Sequence, residues 1–249
     1  MNDLLLQTAV GKDCFEVPIE LPYSLIDYRN VAYDLGYGKK GIPEPFLSMV
    51  KEIDDHVSEE CNVRAGYRVL DINRSENRSD GFSIGKNFLS LQKIITFQLR
   101  KAQKAALFTC TIGDAMETRA TRLFREGDPL KGHLTDTIAS AAVERVADLL
   151  HDHIGSMMAK MGLGITNRFS PGYCGWPVTD QYAIFSFFPE KFCGITVTDS
   201  ALMLPKKSIS GIIGIGAEVN REPYFCDRCK RKDCSYRAYR QAREKNNVD

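Results

Sequence analysis

Residues 168–177 read Arg168-Phe-Ser-Pro-Gly-Tyr-Cys-Gly-Trp-Pro177. Pro171 and Pro177 remove backbone donors, so the segment suits neither a strand interior nor a helix. It suits an ordered loop that brings backbone close to something flat or anionic. Gly172 lets the backbone approach with no side chain in the way. Tyr173 and Trp176 are suited to stacking, and Arg168 to gripping a carboxylate through two parallel bonds. The alternative is a structural turn with buried aromatics. Residue chemistry alone does not choose between the two.

Upstream of this loop, the spacing predicts the longest helix, from Pro129 to about Met161. Proline stands at its start and Gly162 at its end, the usual asymmetry. Ile138, Ala141, Ala142, Val146, Leu149, Leu150 and Ile154 make its apolar stripe, while Ser140 and Glu144 share a face four residues apart. Downstream, residues 182–188 read as a short helix or strand. Ile195–Leu204 and Ser208–Ile215 read as strands joined by Pro205-Lys-Lys.

Further out, residues 14–34 read as strands or extended chain. Pro43 and Pro45 open a helix with Phe46, Val50, Ile53 and Val57 on one face. Tyr67–Asn73 reads as a strand, 88–104 as a helix and 105–112 as a buried strand. Asp114 is expected to cap the next short helix. Strands are not regularly separated by helices, so the class is α+β with a mostly antiparallel or mixed sheet.

Bulk properties exclude several function classes. Hydrophobic content of 43% and charged content of 26% fit a water-soluble globular chain. A net charge of +1 gives no global reason to expect nucleic acid or an anionic membrane. No apolar run approaches the roughly 20 residues that span a bilayer. Met1-Asn-Asp-Leu-Leu-Leu6 lacks the basic region and apolar stretch of a secretory signal, so the expected location is the cytoplasm. In that setting eight cysteines favour metal binding or free thiols over disulfides.

Three of those cysteines form Cys226-x-x-Cys229-x-x-x-x-Cys234. This spacing lets three thiolates converge on one zinc ion or iron–sulfur cluster. Four ligands are normally needed. Cys174, Cys193, Cys110, a histidine or a bound ligand are candidates for the fourth. Arg228, Lys230, Arg231, Lys232, Arg237, Arg240 and Arg243 surround the triad; a basic zinc module can bind nucleic acid, but no second cysteine or histidine pair stands at the usual spacing, which leaves a docking face for an acidic partner or a solvated helix. Residues 221–249 therefore read as a basic, cysteine-rich metal-binding tail behind a domain spanning 1–220. His56, His133, His151 and His153 are assigned to structure. No hydrolase motif and no corrinoid-ligating Asp-x-His-x-x-Gly pattern occurs.

The loop also resembles a known one. Arg168-x-Ser-Pro-Gly-Tyr173 is similar to the Arg-Pro-Ala-Pro-Gly-Tyr-Pro loop of the reactivation domain of cobalamin-dependent methionine synthase, which binds S-adenosylmethionine. Gly194-Ile-Thr-Val-Thr-Asp-Ser-Ala-Leu-Met-Leu-Pro205 and Ser208-Ile-Ser-Gly211 resemble later motifs of that domain. Val143-Glu-Arg-Val-Ala-Asp-Leu-Leu-His151 resembles a helix there with an acidic residue facing the ligand. The likeness is clearest over 135–215. It implies a curved sheet flanked by helices.

It also implies an accessory protein that supports reductive methylation of cob(II)alamin on a corrinoid methyltransferase. The partner would carry the cobalamin, and a flavodoxin or ferredoxin would deliver the electron. By the same resemblance Arg168 binds the ligand carboxylate, Glu144 faces its ammonium, backbone groups at Ser170 and Gly172 hydrogen-bond the ligand with Pro171 between them in the binding loop, and Tyr173 lies beside it. Two departures stand out. Ile212 and Ile213 occupy a stretch where that family has an aromatic, and the cysteine triad is foreign to it. Two other readings remain: a metal-dependent redox or interaction module, or a reactivator of a different corrinoid protein in a demethylation pathway.

Overall fold

The computed structural model describes residues 8–11, 13–19, 26–73, 81–84, 87–91 and 93–222. The cysteine triad and most of the expected tail lie outside them. The strands are β1 (Thr8–Gly11), β2 (Cys14–Val17), β3 (Arg64–Asn73), β4 (Gly81–Ile84), β5 (Asn87–Ser90), β6 (Lys104–Thr111), β7 (Gly164–Phe169), β8 (Thr196–Val197), β9 (Met203–Leu204) and β10 (Ser208–Gly216). The α-helices are α1 (Tyr28–Asp34), α2 (Phe46–Glu60), α3 (Lys93–Gln98), α4 (Ala115–Arg125), α5 (Pro129–Ala159) and α6 (Gln181–Phe185). The main sheet runs β1-β2-β3-β6-β10-β7, with the β4–β5 hairpin attached to β3. Its described pairings are all antiparallel. This is the α+β class read from the sequence.

The sheet has a core on each face, and the period of two along its strands sorts residues between them. On β6, Ala106, Phe108 and Cys110 face the layer of α2 and α5, while Ala105 and Leu107 face the other way. Every residue of β6 after Lys104 is buried, because both faces are covered. On β10, Ile213 and Ile215 join the helix-side core and Ile212 the opposite one. Val50, Ile53 and Val57 of α2 are fully buried in that same helix-side core, on the face that the spacing predicted.

Helix α5 holds the molecule together, with 31 residues and a length of about 46 Å. Asp128 caps its start by accepting from the Lys131 amide at 3.0 Å, and Pro129 occupies the first turn. Ile138, Ala142, Val146, Leu150 and Ile154 are fully buried against the sheet.

Four local expectations change. Tyr28–Asp34 is a helix rather than extended chain, capped by the Asp27 side chain on the Arg29 amide. The expected helix 88–104 splits into β5 and the short α3. Leu89 pairs with Phe82 across the hairpin, and Leu89, Leu91, Ile95 and Leu99 all enter the second core. Tertiary pairing overrides the local apolar period here. Asp114 makes no side-chain cap on α4. Within 195–204 only Thr196–Val197 and Met203–Leu204 pair, around a tight turn in which Thr198 N donates to Leu202 O at 2.8 Å.

Candidate functional site

Arg168 is placed by an irregularity in β7. Ile213 of β10 pairs with Arg168, but Ile215 pairs with Ile165. Between those pairs β7 carries one residue more than its partner, which is a β-bulge. Residues three apart on a regular strand point to opposite faces. The bulge cancels that rule, so Ile165 and Arg168 both face α5. Thr166 holds the bulge closed. Its buried Oγ1 accepts the Gly214 amide at 2.8 Å and donates to Asn167 O at 2.8 Å. Its carbonyl accepts from His151 Nε2 of α5 at 2.8 Å. Burial lowers the His151 pKa from its ordinary value, so the ring is neutral and carries its proton on Nε2 to reach that carbonyl.

Once turned toward α5, Arg168 meets Glu144. Its Nη2 donates to Glu144 Oε2 at 2.6 Å and to Asp148 Oδ1 at 3.0 Å. The arginine side chain is only 16% exposed. The fold thus joins Arg168 and Glu144, which lie 24 residues apart in sequence. Asp148 escaped the sequence reading. The signal was present, since Asp136, Ser140, Glu144, Asp148 and Asp152 recur every four residues, so each neighbours the next in one polar stripe along the helix.

That stripe is answered by three cations from the sheet side. Lys207 Nζ bonds Asp136 Oδ1 at 2.7 Å and Ser140 Oγ at 2.8 Å, Arg168 takes the centre, and Arg221 Nη2 reaches Asp152 Oδ1 at 2.9 Å. From α1, the Asp34 carboxyl is pushed above its usual range by burial and then by the Glu144 charge. Beneath lies Cys110, whose thiol burial raises to about 12.

After Phe169 the chain leaves the sheet as the expected loop. Gly172, Cys174 and Gly175 all have positive φ, at 92°, 54° and 79°. The Gly172 amide donates to Trp176 O at 2.8 Å, and the Tyr173 amide to Ser170 O at 3.1 Å. The Gly172 amide is thereby engaged within the loop. The two aromatics part company. Tyr173 is 42% exposed, whereas Trp176 is 1% exposed and donates Nε1–H to Asp180 Oδ2 at 2.6 Å. Trp176 is therefore core, not a stacking platform. Ser170 is half-buried and Pro171 buried. Gly211 of β10 lies tight beneath the loop entrance, since a Cβ there would sit 2.2 Å from Phe169 O and 2.9 Å from Ser170 Oγ. Ile212 and Ile213 are buried in the two cores, so neither substitutes for the missing aromatic.

The sequence and the fold both have counterparts among known proteins. The family model for the vitamin B12-dependent methionine synthase activation domain matches residues 57–242. This chain belongs to that family. Its fold is also that of a solved activation domain, described as the MetH reactivation domain bound to AdoHcy. The two share 18% identity with a TM-score of 0.62, over 84% of this chain and 79% of that one. No curated protein matches the chain.

Cys226, Cys229 and Cys234 lie outside the described residues. Two candidates for a fourth ligand are poor ones. Cys110 and Cys193 are fully buried, and burial raises both thiols above their ordinary value, which disfavours the thiolate a metal needs. Cys174 is half-buried in the loop. Among the described residues, no three His, Cys, Asp or Glu side chains converge as a metal site would require. No described helix is long and apolar enough to cross a membrane.

Proposed function

We propose that this chain binds S-adenosylmethionine and supports reductive methylation of cob(II)alamin held by a corrinoid methyltransferase of the methionine synthase type, in the cytoplasm. One observation carries the reading: the Arg168–Glu144 ion pair stands at the entrance of the loop 170–177 in a chain of the activation-domain family. A free amino-acid group is a zwitterion, and this pair offers it one partner for each charge. The donor set fits that group. Arg168 binds the ligand carboxylate and Glu144 its ammonium. Ser170, Pro171 and Gly172 line the ligand with backbone, and the exposed ring of Tyr173 lies beside it.

S-Adenosylmethionine supplies the methyl group, and a flavodoxin or ferredoxin supplies the single electron that the methylation needs. The chain's own residues bind and orient; the cofactors carry the chemistry. The bulge and Trp176 support the site by fixing Arg168 and the loop before the ligand arrives. The corrinoid belongs to the partner, in keeping with the absence of an Asp-x-His-x-x-Gly pattern from the sequence.

Two measurements test this. Calorimetry on the wild type is expected to show S-adenosylmethionine binding, weakened roughly thirty- to a hundredfold by Arg168→Ala, the loss of a charge-assisted pair. The chain alone is expected to make no methionine. It is expected to restore turnover to an inactivated corrinoid methyltransferase given S-adenosylmethionine and a reductant. Absence of binding at millimolar ligand would sink the site assignment, and unaided methyl transfer would sink the helper role.

A further inference from the structure

Arg168 has two carboxylate partners on α5, and the second has no assigned role. Glu144 and Asp148 are one helical turn apart and share a single nitrogen, Nη2, at 2.6 Å and 3.0 Å. The arginine side chain is largely withdrawn from water, whereas Asp148 is 43% exposed. Charge-assisted bonds in such partly desolvated settings are about twice as strong as neutral ones.

The ligand assignment proposed above, on which this inference rests, asks two things of Glu144. It must hold the guanidinium and also meet the ligand's ammonium. One carboxylate divided between two cations fixes neither firmly. An arginine side chain has many rotamers, so a guanidinium released from α5 loses its aim. Asp148 reaches the same nitrogen from the next turn and can keep it in place while Glu144 engages the ligand.

We propose that Asp148 is a positioning residue for ligand binding, holding the Arg168 guanidinium against α5 so that it meets the ligand carboxylate in one geometry. It touches Arg168 and acts through it.

Electrostatics supplies a clean discriminator. S-Adenosylmethionine carries a sulfonium, an ammonium and a carboxylate, for a net single positive charge. Its decarboxylated analogue carries two. Merely deleting the Asp148 charge weakens both cations, and the doubly charged one more. Losing the aim of Arg168 weakens only the ligand that has a carboxylate. The two effects rank the ligands in opposite orders.

The experiment titrates the full chain with each compound, as wild type, Asp148→Asn, Asp148→Glu and Arg168→Ala. Asp148→Asn is expected to weaken S-adenosylmethionine binding about tenfold and to leave the analogue within about threefold. Asp148→Glu, which keeps the charge, is expected to stay within about threefold for both, and Asp148→Ser, read by the same ranking of the two ligands, carries the test should the asparagine variant not fold. In Arg168→Ala the two ligands are expected to bind with similar affinity. An unchanged affinity in Asp148→Asn, an equal loss for both ligands, or a larger loss for the analogue would overturn the positioning role while leaving the site assignment standing. A wild type that binds neither ligand, or both equally, overturns the assignment of Arg168 to the carboxylate itself.

Discussion

Thr166→Val removes one hydroxyl and keeps the side-chain volume, and it strikes the bulge that aims Arg168. The Oγ1 accepts the Gly214 amide and donates to Asn167 O, both at 2.8 Å, in a residue 2% exposed. Valine strands the buried Gly214 amide, which costs about 1–3 kcal/mol, and removes a second bond worth about 1 kcal/mol. The expected destabilisation is therefore about 2–4 kcal/mol. For a chain of this size each kcal/mol lowers the melting temperature by about 2–4 °C, so the midpoint is expected to fall by about 4–16 °C. Binding should suffer too. If the bulge slips, Arg168 turns to the face opposite α5 and leaves Glu144. Differential scanning calorimetry reads the first effect and ligand titration the second. A midpoint within about 1 °C of wild type would refute the claim that Thr166 holds the bulge. Lost stability with intact affinity would show that the orientation of Arg168 does not depend on it.

Two further outcomes follow from the described contacts, and a third from the spacing of the tail cysteines. Gly211→Ala places a Cβ 2.2 Å from Phe169 O and 2.8 Å from the Phe108 ring; thermal melts are expected to show a loss of about 3 kcal/mol or more, and a neutral result would contradict the tight seat under the loop. His151 has a folded pKa below its ordinary 6.5 because it is buried. The unfolded chain then binds the proton first, so this contribution to stability is intact above about pH 6.5 and is lost as pH falls toward the folded value. Melts across that range should flatten in His151→Gln, which keeps a donor for Thr166 O; an unaltered slope would remove His151 as its cause. For the tail, anaerobically purified protein is expected to hold about one zinc ion or a visible iron–sulfur chromophore that Cys229→Ser abolishes. Metal-free protein with three freely alkylated thiols would contradict the cysteine-triad reading.

The amino-acid sequence by itself determined whatever depends on residues close together along the chain. The 129–161 helix was legible because its stripe, its Pro129 start and its glycine stop all lie within one segment. The strands 105–112 and 208–215 were legible from their apolar runs, and the loop after Arg168 from its prolines and glycines. The motif order from Glu144 to Gly211 pointed to the family that the residue match then gave. Tertiary structure decided the rest. Whether Trp176 stacks on a ligand or fills the core depends on α6 and the second core closing over it. Whether 88–104 is helix or hairpin depends on pairing with β4. The face that Arg168 presents depends on the bulge and on a hydroxyl that meets Gly214, 48 residues away. The physical reason is common to all three. Turn chemistry and periodicity are short-range, but a side chain's face and partners are fixed by strands and helices that meet only when the chain folds.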